Sequence, residues 1–199
     1  MAQLSFYSAE ANRPGAGDLA GLLCCGGQLA EFARTAARLT LRVDEAWRAR
    51  ALVRALAECG IDATRTVTED GVPGLRTAFR ADLTALAAEW TKEGEKFAPS
   101  DLTLGGGALR LWVLAAGDWL GGGYVLGLDK AAPDTYDTVR GALSVAGLPA
   151  TLLLDREEGP GLRVSGRRRL RRLAELVGET PPAVAETHWP AVSGVRQSA

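Results

Sequence analysis

The stretch LAGLLCCGG, Leu19 to Gly27, combines three leucines with small residues and has no charged side chain. A second apolar stretch, LRLWVLAAG, occupies Leu109 to Gly117. Apolar runs of this length, bounded by glycine, are typical of buried helices that stop at the glycine. The two stretches predict an apolar helix at Leu19–Cys25 and another at Leu109–Ala116.

The sequence around these two stretches repeats. PGLR occurs at Pro73–Arg76 and again at Pro160–Arg163. At the same offset, ALAECGIDA (Ala55–Ala63) aligns with ALSVAGLPA (Ala142–Ala150). Several similar segments in the same order indicate an internal duplication.

Each unit has the same predicted order: helix, two strands, helix, two strands, helix. In the first unit Leu39, Leu41 and Val43 alternate with polar residues, which indicates a strand. An amphipathic helix follows at Glu45–Cys59 and ends at Gly60. The fold class is therefore α+β, with two αββαββα repeats and antiparallel sheets. The predicted division is an N-terminal lead-in 1–17, a first repeat 18–95, a linker 96–107, a second repeat 108–179 and a Pro-rich tail 180–199.

Composition excludes several function classes. The formal net charge is −1, so any nucleic-acid binding has to come from a local patch. No apolar run is long enough to span a bilayer and no signal peptide is recognisable, so we expect a cytoplasmic protein. One histidine, His188, and three cysteines without a C-x-x-C motif argue against a zinc site, a redox site and a Ser-His-Asp triad. The triplets Gly105–Gly107 and Gly121–Gly123 match no phosphate-binding motif and are interpreted as a linker and a hairpin turn.

LAGLLCCGG resembles the name-giving motif of the LAGLIDADG homing endonucleases at five of nine positions, with Gly27 as the last residue. LRLWVLAAG matches that motif more loosely. The resemblance implies that the two helices pack on each other along a pseudo-twofold axis. It also implies that two four-stranded sheets form a saddle over duplex DNA, within one monomer.

The order of fragments is similar to that of the WhiA-type sporulation regulators, bacterial proteins with a degenerate domain of this fold followed by a helix-turn-helix. The similar segments include RLTLRVDEAWRARALVRALAECGIDA, residues 38–63, and LRRLAELVGET, residues 170–180. The resemblance extends from about Leu4 to Thr180. Residues 181–199 are too short and too rich in proline for a helix-turn-helix.

In the endonucleases, the acid before the last glycine of each helix binds a divalent metal over the scissile phosphate. The resemblance places these positions at Gly26 and Ala116, and neither residue has a ligating atom in its side chain. The nearby Asp118 is interpreted as an exposed strand or turn residue and Asp18 as a helix N-cap. We therefore expect no metal site, no cofactor and no nuclease activity.

Strand alternation predicts which side chains lie on the open face of each sheet, away from the helices. Leu39, Leu41, Val43, Leu75 and Phe79 are expected to face the helices. Arginine and threonine on the open face suit phosphates and base edges, although an ordinary solvated sheet carries the same residue types. The predicted DNA-binding residues are Arg38, Thr40, Arg42, Thr64, Thr66, Arg76 and Arg80 in the first repeat, and Arg163 and Arg167 in the second.

The predicted open face of the second repeat is less basic and includes Val125, Asp129 and Ser165. The run RRRLRR, Arg167–Arg172, is interpreted as the solvated face of a helix, with phosphate binding as the alternative.

Two hypotheses about function, from different classes, remain. The chain is either a catalytically inactive LAGLIDADG-like domain that acts on double-stranded DNA in transcriptional regulation, alone or with a separate regulator, or a protein-interaction module without DNA contact. An active endonuclease is disfavoured by Gly26 and Ala116.

Overall fold

The computed structural model describes residue 9 and residues 12–182 and 184–190. The first repeat comprises, after a 3-10 turn at Ala16–Leu19, α1 (Ala20–Cys24), β1 (Gln28–Phe32), β2 (Ala36–Arg42), α2 (Ala46–Glu58), β3 (Ala63–Val67), β4 (Pro73–Thr77) and α3 (Thr84–Trp90). A short hairpin of β5 (Thr91–Lys92) and β6 (Glu95–Lys96) follows. The second repeat comprises α4 (Gly106–Ala116), β7 (Gly117–Leu120), β8 (Gly123–Gly127), α5 (Tyr136–Val145), β9 (Thr151–Leu153), β10 (Gly161–Ser165) and α6 (Arg167–Val177).

The two large sheets have the same topology. Their strand orders are β1-β2-β4-β3 and β7-β8-β10-β9, and every neighbouring pair is antiparallel. The predicted α+β class with two αββαββα repeats is therefore confirmed.

Helices α1 and α4 pack closely against each other. A Cβ atom on Gly21 would stand 1.8 Å from the carbonyl oxygen of Ala108, so no side chain fits at this position. At the start of α4, a Cβ atom on Gly107 would stand 2.4 Å from the carboxyl group of Asp18. Helix α4 begins at Gly106, so Gly106 and Gly107 are its first residues and their interpretation as a linker was wrong.

The inner faces of the sheets pack on the helices. Leu39, Leu41 and Leu75 of the first sheet are buried as predicted, and Leu126 and Leu162 are their counterparts in the second. In α2, Leu52 and Leu56 are buried, and so is the charged side chain of Arg48.

Cys24 and Cys25 are buried free thiols at the end of α1, where burial raises the pKa of Cys25 to about 11. The turn between β7 and β8 consists of Gly121 and Gly122, both with positive φ. This is the backbone that a two-residue hairpin turn requires, so the predicted turn is confirmed.

The described part of the C-terminal segment packs on the second repeat. Trp189 is 2% exposed and donates from Nε1 to the carbonyl oxygen of Gly178 at 2.9 Å. The hydroxyl of Tyr124 donates to the carbonyl oxygen of His188 at 2.7 Å. Among the described residues no helix is long and apolar enough to cross a membrane.

Candidate nucleic-acid interface

The open face of the first sheet carries a row of polar side chains that crosses all four strands. Register places Gln28 opposite Thr40, Thr40 opposite Arg76, and Arg76 opposite Thr64. Side chains at paired positions of an antiparallel sheet lie on the same face. The structure therefore brings donors and hydroxyl groups from β1, β2, β4 and β3 together in one line.

A second row lies beside the first. Arg42 and Thr66 are each paired with Gly74, where a Cβ atom would stand 2.4 Å from the carbonyl oxygen of Leu41. Arg42 and Arg76 are exposed, and neither is ion-paired with an acid of the described residues. Arg38 is half-buried, and its guanidinium lies 4.6 Å from the ring centroid of Phe79. The positions predicted for Arg38, Thr40, Arg42, Thr64, Thr66 and Arg76 are thus on this face.

The placement of Phe79 and Arg80 was predicted wrongly. The register of β2 and β4 would bring Phe79 opposite Ala37, but the observed bridge joins Ala37 to Arg80. One extra residue after Thr77 therefore reverses the alternation. Phe79 lies on the open face beside Phe32, whereas Arg80 points to the helix side and donates to Asp82 at 2.6 Å and to the carbonyl oxygen of Gly60 at 3.1 Å.

The open face of the second sheet carries two arginines that lie flat on it. Arg163 is opposite both Val125 and Thr151, and it donates to the carbonyl oxygen of Gly121. Arg156, from the loop between β9 and β10, lies over Gly161, where a Cβ atom would stand 2.6 Å from its Nη1 atom. Arg156 was not predicted, since its loop follows no strand period that would show where it folds back.

Asp129 and Arg167 do not lie on the open face. Strand β8 ends at Gly127, and the buried carboxylate of Asp129 accepts hydrogen bonds from Lys96 and from Gln28 of the first sheet, each at 2.7 Å. Gly166 has a φ of 91°, which ends the alternation of β10, and Arg167 is the first residue of α6. Both predictions extended a strand beyond its true end.

The C-terminal ends of the paired helices are each contacted by a buried cation. Lys96 donates to the carbonyl oxygens of Cys25 and Gly27 at the end of α1. Arg48 donates to the carbonyl oxygens of Leu114 at 3.1 Å and Gly117 at 2.9 Å at the end of α4. A cation at this end of a helix stabilises the unpaired carbonyl groups and the negative pole of the helix dipole.

The acids near these helix ends do not converge. Asp118 is exposed on β7, where it accepts from its neighbour Trp119 at 2.8 Å and lies 3.7 Å from His188. Asp18 is the last but one residue of its 3-10 turn and accepts from the amide of Gly15 at 3.0 Å, so Gly15 and not Asp18 is the N-cap. Burial raises the pKa of Asp18. Among the described residues no cluster of three or more His, Cys, Asp or Glu side chains could hold a metal ion.

Solved structures share this architecture. The homing endonuclease I-WcaI bound to its DNA recognition sequence is 13% identical, with a TM-score of 0.60 over 81% of this chain and 79% of that one. The N-terminal LAGLIDADG domain of WhiA is 11% identical, with a TM-score of 0.52 over 82% of both chains. Full-length WhiA from Thermatoga maritima is 10% identical, with a TM-score of 0.55 over 84% of this chain, which spans 56% of that protein.

The likeness establishes that the chain has the LAGLIDADG endonuclease fold, as the motif at Leu19–Gly27 predicts. No protein-family model matches the sequence, and no curated protein matches it.

Proposed function

We propose that this chain binds duplex DNA on the open faces of its two sheets and does not cut it, in a role in transcriptional regulation like that of WhiA. The observation that carries the proposal is the open face of the first sheet, where Arg38, Arg42 and Arg76 alternate with threonines. Guanidinium groups bind phosphates and guanine edges, and hydroxyl groups add short-range hydrogen bonds. The similar endonuclease I-WcaI was solved bound to DNA, which agrees with this use of the fold.

The local charge of this face outweighs the net charge of −1. Glu31 is the one acid within β1 to β4, and it is paired with Ala37, whose side chain faces the helices. The four strands themselves therefore place no acid beside the arginines on this face. Long-range attraction depends on the charges nearest to the DNA, because salt screens the others within about 8–10 Å.

Absence of cleavage is proposed from the two helix ends. Metal-dependent cleavage needs carboxylates that hold the metal over the scissile phosphate. Gly26 and Ala116 stand at the positions that correspond to the family's acids. The helix ends are instead contacted by the side-chain cations of Lys96 and Arg48, which supports a structural use of this region.

A protein partner is the second candidate, and one observation favours it. Phe32 and Phe79 are 62% and 43% exposed, with ring centroids 5.6 Å apart, on the open face of the first sheet. Aromatic residues, phenylalanine among them, are enriched at protein interfaces relative to the rest of the protein surface. In this alternative the same face binds a regulator or another transcription protein.

Fluorescence anisotropy with a labelled duplex of about 20 base pairs, near 70 Å at 3.4 Å per pair, tests the proposal. The first-sheet variant combines Arg38→Gln, Arg42→Gln and Arg76→Gln. The control combines Arg50→Gln, Arg54→Gln and Arg140→Gln, which removes three exposed charges from α2 and α5. We expect the first-sheet variant to bind at least about tenfold more weakly and to lose about 2.7 from the slope of log K against log salt, 0.9 per phosphate contact.

The control variant is expected to bind the duplex within about twofold of the wild type, since its charges lie on the helix layer. Wild-type protein that binds no duplex at low salt, or a first-sheet variant that binds like the wild type, contradicts the proposal. The interaction module is supported instead if the wild type binds no duplex and Phe32→Ser loses binding to a protein partner that the wild type binds.

A further inference from the structure

A groove of about 840 Å³ lies between the start of α6 and the loop that joins α5 to β9. We call it the arginine groove, because its lining includes Arg167, Arg168, Arg169, Arg171 and Arg172. Glu175 is the single acid among the lining residues. The DNA contacts proposed for the open faces do not use these arginines, because α6 belongs to the helix layer.

The arrangement of these arginines is unfavourable for the helix itself. The N-terminal end of a helix carries the positive pole of its dipole, so that acids stabilise it and cations destabilise it. The first turn of α6 contains no acid, and the N-cap Gly166 makes no side-chain capping bond. Like charges four residues apart, as in Arg167 and Arg171, destabilise a helix further. Arginines that destabilise the helix they belong to indicate that this segment serves a function other than stability.

Three of the groove arginines have no ion-pair partner among the described acids. Arg167, Arg168 and Arg171 are exposed, and none of them forms an ion pair with a described acid. Arg169 donates weakly to the carbonyl oxygen of Ser165 at 3.4 Å. The groove also has room beside these groups, since a Cβ atom on Gly166 would find nothing within 4 Å. A polyanion is the partner whose chemistry fits this surface.

The groove is continuous with the open face of the second sheet. Arg163 is on that face, Ser165 two residues later lines the groove, and α6 begins at Arg167. On the adjacent strand, Thr151 is paired with Arg163, and Pro149 just before it also lines the groove. The groove thus begins at the end of the strand that carries Arg163 and continues along α6.

We propose that the arginine groove binds backbone phosphates of duplex DNA that extends beyond the part held by the two open faces. This inference rests on the proposed function, and it adds a second contact that lengthens the bound site. Arginine rather than lysine at every basic position suits phosphate, because the planar guanidinium donates two parallel hydrogen bonds to it. Contacts to phosphates alone give affinity without sequence preference.

Two labelled duplexes, of about 20 and about 40 base pairs, distinguish this contact from that of the open faces, since each added pair extends the duplex by about 3.4 Å. The groove variant combines Arg167→Gln, Arg168→Gln and Arg171→Gln. The control is again Arg50→Gln, Arg54→Gln and Arg140→Gln. We expect the groove variant to bind the short duplex like the wild type, to bind the long duplex about tenfold more weakly, and to lose about 2.7 from the salt slope for the long duplex only.

The folding of the groove variant is checked by its melting temperature, which is expected to equal or exceed that of the wild type, because like charges are removed from the helix N-terminus. A groove variant that binds the long duplex like the wild type, while the first-sheet variant still loses the short one, overturns the groove contact and leaves the proposed function intact. The opposite pattern, groove-dependent binding of the long duplex that the first-sheet variant retains, overturns the proposed function and with it the extended site. If the groove variant loses binding to a polyglutamate peptide but binds DNA like the wild type, the groove binds an acidic protein segment and the proposal is overturned.

Discussion

The ammonium group of Lys96 lies 2.7 Å from a carboxylate oxygen of Asp129, and the two side chains are 7% and 6% exposed. Lys96 is in the hairpin that follows the first repeat, and Asp129 follows β8 of the second. The same ammonium donates to the carbonyl oxygens of Cys25 and Gly27, and Gln28 donates to the same carboxylate oxygen. One buried cation therefore joins the end of α1 to the second repeat.

The first prediction concerns this ion pair. Lys96→Met leaves the carboxylate of Asp129 buried without its cation, so we expect a loss of about 3–5 kcal/mol in the free energy of unfolding. Urea denaturation measures it. The double variant Lys96→Met with Asp129→Asn removes both charges and is expected to recover part of that loss. A single variant that costs less than about 1 kcal/mol contradicts a buried, coupled pair and fits a solvated one.

The second prediction concerns Arg48. Its guanidinium donates to the carbonyl oxygens of Leu114 and Gly117 and lies 2.8 Å from Asp44. Arg48→Met leaves buried carbonyl groups unpaired, and we expect the unfolding free energy to fall by at least about 2 kcal/mol. Arg48→Lys is expected to restore little of it, since the guanidinium reaches its acceptors through separate nitrogens in a fixed planar fork, which a single ammonium nitrogen does not reproduce. Arg50→Lys, exposed on the same helix, is the control, and full stability of Arg48→Lys is the contrary result.

The third prediction concerns the helix pair. Gly21→Ala places a Cβ atom 1.8 Å from the carbonyl oxygen of Ala108, so α1 and α4 have to separate and the melting temperature should fall steeply. Gly141→Ala is the matched control, because this exposed glycine of α5 has nothing within 4 Å of its added Cβ atom. The control is expected to gain about 0.5–1 kcal/mol from the better helix propensity of alanine. Equal melting temperatures for the two variants exclude the close helix contact.

The fold was predictable because the sequence contains two copies of the same repeat. The aligned segments around Pro73 and Pro160 predict the same secondary structure. Strand alternation placed six of the nine predicted DNA-binding residues on the open face of the first sheet. The errors arose where distant pairing decides the geometry. The extra residue before Arg80 becomes visible only through its bridge to Ala37, and the burial of Lys96 and Arg48 depends on partners far away along the chain. Local periodicity carries no information about such contacts.

The fourth prediction concerns catalysis. Supercoiled plasmid incubated with the protein and Mg²⁺ should remain intact, because Gly26 and Ala116 have no side-chain oxygen for the metal. Added Mg²⁺ should leave the melting temperature unchanged, since a ligand stabilises a protein only when it binds the folded state. Cleavage that disappears in Asp118→Ala would instead make the exposed carboxylate of Asp118 a metal ligand. The control for Asp118→Ala is Asp137→Ala, which removes an exposed acid from α5.

The fifth prediction concerns the pH dependence of stability through Asp18. Burial raises the pKa of this carboxyl above its ordinary value of 3.8, and the hydrogen bond from Gly15 opposes the shift without reversing it. Between the unfolded and the folded pKa the folded state therefore binds more protons than the unfolded state. Stability must fall as the pH rises through that window, so the unfavourable contribution is fully present only above the folded pKa.

Asp18→Asn removes this ionisation and keeps an oxygen that accepts the hydrogen bond from the amide of Gly15. The stability difference between Asp18→Asn and the wild type should therefore be constant below pH 3.8 and shift in favour of the variant as the pH rises, until it levels off above the folded pKa. Urea denaturation of both proteins at a series of pH values measures this difference. A difference that moves toward the wild type with rising pH shows that the structure stabilises the charged carboxylate, and it contradicts burial as the dominant cause of the pKa shift.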